Sequence, residues 1–313
     1  MTRPATAPAD VGYVPPEPTK LARGEWVAVF KRAFKEFMAD DCMGLAQEVA
    51  YSSLLAFFPA LVALVALLDL VNAYDSLQEF LNPVAPKAVT DLIQTFQQDS
   101  NGGGASAVAL VVGTFFAVWA ASGAMGSVVK AVNRAYELAE TRPFWKVRAI
   151  AVILVIASGI VTAGMLLLIV LGGTLGDAIA RKAHFGGAWT WLWNLLRWPL
   201  AFVIVLLLFA LIYYLAPNKD VRTWKWITPG SLVGGLMWIA LSGLFAIYTS
   251  YSDSYTRTYG TLAGGIILLL WLNYTAWSIL FGAELNAELD RQADIHAAGG
   301  ENAGLIKPAH RNA

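Results

Sequence analysis

Six long apolar stretches constrain this chain more than any other feature of its sequence. They are residues 54–71, 105–124, 149–171, 189–215, 227–248 and 261–283, and the only charges in them are Asp69 near the end of the first and Arg197 in the fourth. About 20 apolar residues in an α-helix cross the roughly 30 Å hydrocarbon core of a bilayer. The first stretch is short, and residues 45–53 can extend it. The sequence predicts an all-α, polytopic membrane protein with six transmembrane helices.

The composition favours the same class. Of 313 residues, 57% are hydrophobic and 14% are charged, and the mean hydropathy is +0.56. Soluble domains carry about 25% charged residues. The 12 Trp residues fit a membrane protein because Trp collects at the lipid–water interface. A soluble domain of this size could not bury so much apolar surface.

Lys and Arg are unevenly distributed among the connections. Six precede residue 44, five lie in 125–148, three in 216–226 and three after 283, whereas the loops at 72–104, 172–188 and 249–260 carry one, two and one. Connections on the cytoplasmic side carry the excess of positive charge in membrane proteins. The pattern predicts cytoplasmic termini and a multi-pass protein of the inner (cytoplasmic) membrane.

The remaining segments complete the predicted organisation. Residues 20–291 are expected to form one membrane domain, flanked by disordered tails at 1–19 and 292–313, which are rich in small and polar residues. The longest predicted outer loop, 72–104, is either a functional lid or a plain cover over the bundle.

Residues 20–38 read as an amphipathic helix. Spacing at 100° per residue places an apolar face opposite Lys31, Arg32 and Lys35; this face comprises Trp26, Phe30, Ala33, Phe34 and Phe37. Such a helix can lie in the membrane surface with its cations among anionic headgroups. The alternative is a helix that packs on the bundle.

Polar side chains near the spans are candidates for a substrate path or gate because a charge in the lipid zone is costly. Asp69 and Arg197 lie near the predicted outer ends of spans one and four. They are interpreted as an ion pair, as walls of a polar cavity, or as side chains that each reach water alone. Glu48 and Arg134 lie near the cytoplasmic ends of spans one and two, where they can pair or remain ordinary interface charges.

Prolines and glycines mark candidate hinges and packing surfaces. Pro59 and Pro199 each remove one backbone hydrogen bond from a span and predict a kink or hinge. Glycines spaced four residues apart let helix backbones approach closely. The pairs Gly230/Gly234 and Gly260/Gly264 are predicted to serve packing within the chain.

Span six ends in a group of polar residues. Its length carries it across the lipid, so Glu284 is expected at the cytoplasmic boundary. Asn273, Trp277, Glu284 and Glu288 lie along one stripe of the helix. Glu284 and Asn286 are interpreted as a tie to the cytoplasmic ends of other spans, with Lys130 and Arg134 as candidate partners, or as an inner gate.

Catalytic chemistry finds little support in the sequence. There is one Cys, three His and no HExxH, so no catalytic centre, metal site or cofactor is predicted. No GxxxxGK[ST] motif is present, which argues against direct use of ATP. The net charge is zero, and no nucleic acid partner is expected. Membrane lipids are the expected partners, and a homo-oligomer stays open.

Several segments resemble the YihY/virulence factor BrkB family of bacterial inner-membrane proteins. They are AQEVAYSSLLAFFPALVAL, NRAYELAETRPFWKVR, RWPLAFVIVLLLFALIYYLAPN, TWKWITPGSLVGGLMW and YGTLAGGIILLLWLNYTAWSILFGAELNAEL. The resemblance covers residues 25–291, and Gln47 and Glu48 depart from its small or apolar pattern. It implies six spans in the inner membrane. It also implies an association with virulence, export of lipids or envelope precursors by some members, and an old ribonuclease label.

Two functions follow from these observations. The first is a transporter or flippase that moves a lipid, envelope precursor or other amphiphile across the cytoplasmic membrane. The alternative is a non-transporting scaffold or assembly factor for envelope machinery. A ribonuclease is not expected because the sequence offers neither a metal-assisted centre nor a basic groove.

Overall fold

The described part of the chain is entirely helical. A computed structural model describes residues 23–70, 103–166, 168, 182, 187–219, 227–250 and 262–297. It contains α1 (Arg23–Ala39), α2 (Cys42–Leu70), α3 (Gly103–Ala135), α4 (Phe144–Leu166), α5 (Gly187–Leu215), α6 (Pro229–Ser250) and α7 (Leu262–Ala297). Within these residues, α3 to α7 provide five helices long and apolar enough to cross a membrane. The prediction of an all-helical protein with several apolar spans is confirmed.

Three helices run well past the predicted lipid-crossing segments at one end of the bundle. Relative to those segments, α2 begins earlier, at Cys42, α3 continues to Ala135, and α7 continues to Ala297, beyond Arg291 where the membrane domain was predicted to end. Apolar windows detect only the lipid-crossing part, whereas Glu, Lys, Arg and Ala continue a helix readily. We call this the polar end: the first turns of α2, α4 and α6 and the last turns of α3, α5 and α7.

The six long helices form a closed ring. Each packs against the next in chain order, α2 on α3 most extensively, and α7 returns to pack against α2 and α3. The ring divides in sequence into a first half, α2 to α4, and a second half, α5 to α7. The halves meet where α4 packs on α5 and where α7 packs on α2 and α3.

Packing within the ring is uneven. The largest fully buried side chains lie in and towards the polar end and include Val129, Val132, Leu280 and Leu285. Further from this end, large apolar side chains on α3 to α6 stay exposed, among them Phe115, Ile160, Trp191 and Leu244. Exposed apolar surface of this extent is typical of contact with lipid. Among the described residues, the buried core is therefore concentrated towards the polar end.

α1 packs along the last turns of α7. Val29 and Ala33 are buried against Leu285 and Leu289. This is the packed arrangement that the sequence left as an alternative. The predicted apolar face is only partly covered: Ala33 and Phe37 are buried, while Phe34 is 62% exposed, and contact of this exposed part with the membrane surface stays a prediction. Apolar residues cover more than one side of α1, so one side packs on α7 and another stays outside.

Replacing Arg32 by Met is expected to loosen α1. The Arg32 Nε donates to Glu288 Oε2 at 2.6 Å, and its Nη2 donates to Gln292 Oε1 at 2.7 Å. Glu288 is buried, and without Arg32 its carboxylate would keep only the ion pair with Arg291. Because Arg32 is one-third exposed, we expect a cost of about 1–2 kcal/mol. Hydrogen exchange should quicken in α1, and the exposed neighbour Lys31→Met should leave it unchanged. Equal exchange in both variants would contradict this role.

Both predicted prolines lie inside helices. α2 continues through Pro59 and α5 continues through Pro199. Each proline lacks the N–H that the carbonyl one turn earlier would accept in a regular helix. Whether either residue acts as a hinge stays a prediction. Predictions for residues 1–22, for the tail after 297 and for the loop up to residue 102 lie outside the described residues.

Candidate functional site

Hydrogen bonds join the two halves of the ring at the polar end. The groups that make them are Cys42, Asn133 and Arg142 on the side of the first half, and Asn218 and Glu284 on the side of the second. We call these five residues the clasp. They come from chain segments next to apolar spans, where a helix leaves the lipid and polar side chains no longer carry a large energetic cost.

Asn133 and Asn218 form the first contact of the clasp. The backbone N–H of Asn218 donates to Asn133 Oδ1 at 2.7 Å, and Asn133 Nδ2 donates to Glu140 Oε2 at 2.8 Å. Asn218 Nδ2 donates to the Ala139 carbonyl and to Thr141 Oγ1, both at 2.8 Å. Asn133 is buried. The segment after α5 is thereby fixed to the end of α3 and to the α3–α4 connection.

Arg142 forms the second contact. Its Nη2 donates to the Ala216 carbonyl at 2.8 Å, and its Nη1 lies 3.4 Å from the Leu215 carbonyl. These are carbonyls at the end of α5, which lack partners within their own helix. Glu140 holds the guanidinium in place through Nε at 2.7 Å and Nη2 at 2.5 Å. A cation from the first half therefore caps a helix of the second half.

The pH dependence of stability should report this cap. Hydrogen bonds from the Arg142 side chain hold the pKa of Glu140 below its ordinary value of 4.5, against a smaller opposing effect of burial. A lowered pKa means stability that is present above pH 4.5 and lost as the pH falls from there through the lowered value. At pH 7, Glu140→Gln should cost about 1–2 kcal/mol by thermal unfolding. The difference from the native protein should shrink below pH 4.5. A difference that stays constant with pH would contradict this account.

Glu284 forms the third contact. It is 1% exposed, and Cys42 Sγ donates to its Oε1 at 3.3 Å. The described residues place no Lys, Arg or His in a salt bridge with it. A buried carboxyl without a cation is expensive, which is why such groups attract functional interpretations. The predicted partners Lys130 and Arg134 are not its partners: the structure gives it a thiol from the start of α2.

Asn286 ties α7 to α6, as one of the two interpretations proposed. Its Oδ1 accepts from the Gly230 N–H at 2.9 Å, and its Nδ2 donates to Thr228 Oγ1 at 3.0 Å. The first N–H groups of a helix lack partners within it, so a buried amide is well suited to this place. Both partners belong to the second half, so Asn286 strengthens that half and is not part of the clasp.

The crossing of α6 and α7 depends on glycines. A Cβ at Gly230 would overlap the Gly282 carbonyl oxygen, and one at Gly234 would lie 2.8 Å from the Ser278 carbonyl oxygen. Packing at Gly230 and Gly234 within the chain is therefore confirmed. At Gly264 no described atom lies within 4 Å of a built Cβ, and packing there stays a prediction. The predicted partner Gly260 lies outside the described residues.

The other predicted site residues are placed as follows. Glu48 pairs with Lys130, whose Nζ lies 2.8 and 3.1 Å from its two oxygens, and Arg134 pairs with Asp40 at 3.3 Å. A pair between Glu48 and Arg134 is therefore wrong. Lys130 and Arg134 are one turn apart on α3, so the sequence could not choose between them; the register of α2 against α3 does.

The remaining candidates lie away from the clasp. Arg197 lies on α5, where its guanidinium is 5.7 Å from the Trp198 ring, and its buried Nε has no hydrogen-bond partner among the described residues. The side chain of Asp69 lies outside the described residues, so its pairing with Arg197 stays a prediction. Asn273 is half-buried on α7, four residues from Trp277. Their roles in a substrate path stay predictions.

Several residues of the site were missed by reading the sequence. They are Cys42, Asn133, Arg142, Asn218, Tyr213 and Gly282. The hydroxyl of Tyr213 donates to the Ile279 carbonyl at 2.8 Å and lies where a Cβ at Gly282 would be. One signal was available: Asn133, Arg142 and Asn218 directly follow or precede apolar spans on the same predicted side. Their contacts depend on how the helices are arranged.

A helical ring with apolar outer surfaces and buried polar contacts at one end defines an integral membrane protein with several spans. Among the described residues, no group of three or more His, Cys, Asp or Glu is placed to hold a metal. The sequence matches the family described as Virulence factor BrkB over residues 33–304. The chain belongs to this family.

Curated relatives agree with this assignment. A Bacillus subtilis protein whose name describes it as ribonuclease-like, YfkH, is 29% identical over 274 residues, which are 86% of this chain and 98% of that protein. UPF0761 membrane proteins of Rhodospirillum centenum and Aromatoleum aromaticum are each 27% identical, over 84% and 81% of this chain. The aligned parts cover 57% and 61% of those two longer proteins. No solved structure matches the chain.

Proposed function

We propose that this protein transports a lipid, envelope precursor or other amphiphile across the cytoplasmic membrane by rocking of its two three-helix halves. The observation that carries the proposal is the asymmetry of the ring. Hydrogen bonds between the halves and most of the buried core lie at the polar end, while large side chains further away stay exposed. Contacts between the halves that are concentrated on one side of the membrane are what one state of alternating access requires.

The internal contacts of each half support movement as two bodies. In the first half, Ser52 and Ser127 are hydrogen-bonded at 3.3 Å, and Arg148 donates to the Trp119 carbonyl at 2.7 Å. In the second half, the indole N–H of Trp238 donates to Thr275, and that of Trp271 donates to Ser242. Indole and hydroxyl pairs in mid-membrane hold helices together without charge. The clasp would be the part that opens.

The topology belongs to the same proposal. α2 is 29 residues long and strongly apolar, and we propose it as the sixth span. The polar end would face the cytoplasm because the Lys- and Arg-rich connections lie there. A cysteine at the exposed position Lys31, in a Cys42→Ser background, should react with a membrane-impermeant thiol reagent in inside-out vesicles and not in intact cells. Labelling in intact cells and not in inside-out vesicles would contradict this orientation.

Reconstitution tests the transport itself. Purified protein in vesicles should move at least one fluorescent amphiphile, from a panel of envelope lipids and small solutes, between the leaflets or across the membrane. Vesicles with heat-inactivated protein give the background. If no member of the panel moves faster than background while circular dichroism shows folded protein, transport should be dropped.

A scaffold role is the second candidate, and the outer side of α1 favours it. Val27, Phe34 and Met38 remain more than half exposed although α1 packs on α7. Such a surface suits either lipid or a protein partner. Changing Phe34 to Ser should release a stable partner in a mild-detergent pulldown if α1 recruits one. Recovery of no partner, or of the same partner with both proteins, would argue against a scaffold.

We propose no catalytic role. The word ribonuclease belongs to the name of the Bacillus relative, and the family and membrane names of the other matches describe no reaction. Purified protein incubated with single-stranded and structured RNA, with and without divalent cations, should leave the RNA intact. Cleavage that co-purifies with the folded protein would overturn this part of the proposal.

A further inference from the structure

A cleft of about 510 Å³ lies at the polar end, on the side of the first half. It is formed by the turn between α1 and α2, the last turns of α3, the α3–α4 connection and the first turn of α4. Acidic groups from the turn and basic groups from α3 line it above an apolar floor: Asp40 and Asp41, Lys130 and Arg134, and Leu45 and Val129. The clasp does not account for the acidic or the basic groups.

The acidic side of the cleft has an unsatisfied acceptor. Asp40 Oδ1 lies 3.3 Å from Arg134 Nε, but its Oδ2 is buried and has no hydrogen-bond partner among the described residues. Burial raises the pKa of Asp40; Arg134 opposes this effect, and Glu36 on α1 adds to it. Beside it, Asp41 is exposed in the left-handed backbone region with φ 53°. Asp40 and the exposed Asp41 give this wall of the cleft its negative charge.

The basic side of the cleft is available to an anion. Arg134 is 60% exposed, and its Nε lies 3.3 Å from Asp40 Oδ1. A guanidinium can bind phosphate through two parallel hydrogen bonds, so its outer nitrogens suit that ligand. Lys130 adds an ammonium that is 65% exposed and already pairs with Glu48 on one side. One cleft thus offers acceptors for a cation and donors for an anion.

The other polar groups around the cleft are already paired. Glu140 accepts from Arg142 and Asn133, and Asn133 also accepts from Asn218. These groups hold the wall in place and leave ligand binding to Asp40, Asp41, Lys130 and Arg134. Two acids and two bases lie in its walls, and Asp40 pairs with Arg134 while Lys130 pairs with Glu48. The cleft therefore does not select a simple anion; it matches a ligand that carries both charges and can exchange with these pairs.

The depth of the cleft suits a lipid headgroup. Phe144 and Trp145 begin α4 and are strongly exposed, next to Val147 in the cleft wall. Exposed aromatic residues at the end of a span mark the headgroup level of a membrane. The apolar floor can accept the carbon atoms that join a headgroup to its acyl chains.

We propose that this cleft binds the headgroup of an aminophospholipid, with its ammonium at Asp40 and Asp41 and its phosphate at Arg134 and Lys130. Phosphatidylethanolamine is the simplest lipid of this class. Its primary ammonium donates three hydrogen bonds, whereas the trimethylated ammonium of phosphatidylcholine donates none. Only the claim that this lipid is the transported cargo rests on the proposed transport. Binding of the lipid is measured without transport.

The test compares headgroups on the full-length protein. Native mass spectrometry, from detergent, measures binding of phosphatidylethanolamine, phosphatidylcholine and phosphatidylglycerol with identical acyl chains. Phosphatidylethanolamine should bind at least tenfold more tightly than either of the others. Equal affinities, or stronger binding of phosphatidylglycerol, would overturn the proposal without any variant. Binding with no transport in vesicles would leave the site standing and remove only the cargo role.

Variants locate the site. Asp40→Asn and Arg134→Gln should each weaken the binding of phosphatidylethanolamine about tenfold. Asp40→Asn should also make phosphatidylethanolamine and phosphatidylcholine bind with equal affinity. If Asp40→Asn does not fold, Asp41→Asn replaces it, because Asn tolerates the left-handed conformation at this exposed position. Asp290→Asn is the matched control, since Asp290 forms an exposed pair with Lys219 outside the cleft. An equal loss in this control would place binding elsewhere.

A soluble ligand could share the same chemistry. Glycerophosphoethanolamine, which has the headgroup without acyl chains, should bind at least a hundredfold more weakly than the lipid. Equal binding of the two would overturn the proposal that the ligand is a lipid, although a zwitterionic headgroup would still be the chemistry that the cleft recognises.

Discussion

Replacing Gly230 by Ala is expected to destabilise the protein severely, and replacing it by Leu should abolish folding. A Cβ at this position would overlap the Gly282 carbonyl oxygen and lie 2.5 Å from Asn286 Cγ. Backbone cannot move aside as a flexible side chain can. Overpacking a core costs about 1–3 kcal/mol, and a clash with backbone belongs at or above the upper end of that range. The variant would also strain the bond between the Gly230 N–H and Asn286.

The measurement is thermal unfolding in detergent, read as loss of the monodisperse peak in size-exclusion chromatography. Gly243→Ala is the matched control, because Gly243 lies on the same helix and a Cβ there meets nothing within 4 Å. It should leave the protein as stable as before or stabilise it by up to about 1 kcal/mol through helix propensity. If Gly230→Ala unfolds at the same temperature as Gly243→Ala, the close crossing of α6 and α7 is wrong.

A disulfide across the clasp should stop transport. Asn218 N lies 2.7 Å from Asn133 Oδ1, so these two residues are neighbours across the clasp, and positions 133 and 218 are the pair chosen for cysteines. In a Cys42→Ser background, oxidation of the Asn133→Cys, Asn218→Cys protein should lower the transport rate at least tenfold. Reduction should restore it, because the halves would again be free to separate. The reduced protein is its own reference, which removes any effect of the substitutions themselves.

The control disulfide lies within one half. Ser52 and Ser127 have hydroxyl oxygens 3.3 Å apart on α2 and α3, so cysteines there should bond without joining the halves. Oxidation of that protein should leave transport within about twofold of its reduced rate. Rocking of two halves would be refuted if the 133–218 bond forms fully and transport continues, or if both disulfides stop it equally.

Glu284 separates a structural tie from a gate in a different way. Gln has nearly the same shape as Glu and keeps an oxygen that can accept from the Cys42 thiol. Glu284→Gln therefore removes only the ability of this side chain to bind and release a proton. A lower protein level with normal residual transport per molecule would mean a structural tie. A normal level with lost transport would favour the gate. We expect the second result because a buried carboxyl with no cation beside it is a poor choice for a merely structural tie.

The sequence predicted the class of fold because the physics of lipid acts locally. A membrane span must form the hydrogen bonds of its backbone within itself, so about 20 consecutive apolar residues predict a helix wherever they lie in the chain. The same reasoning located Glu284 and Asn286 at the end of a span and Gly230 at a close approach. It stopped at the ends of helices: α7 passes the predicted boundary and reaches Ala297. Polar helix formers give no lipid signal.

Partners were beyond the sequence because they depend on rotation and depth between helices. The sequence offered Arg134 as a partner for Glu48, but the packing of α2 on α3 places Lys130, one turn earlier on α3, beside it. Gly230 and Gly234 both lie against α7, a contact that their spacing allowed but could not assign to a particular helix.

By itself, then, the sequence determined that this protein is a helical membrane protein with its polar groups gathered at the ends of its spans, since a charge in lipid costs energy wherever it is placed. Only the tertiary structure decided that Cys42 meets Glu284, that Arg142 caps α5, and that Arg134 pairs with Asp40. Those contacts join residues from distant parts of the chain, and packing of the helices in a closed ring brings them together.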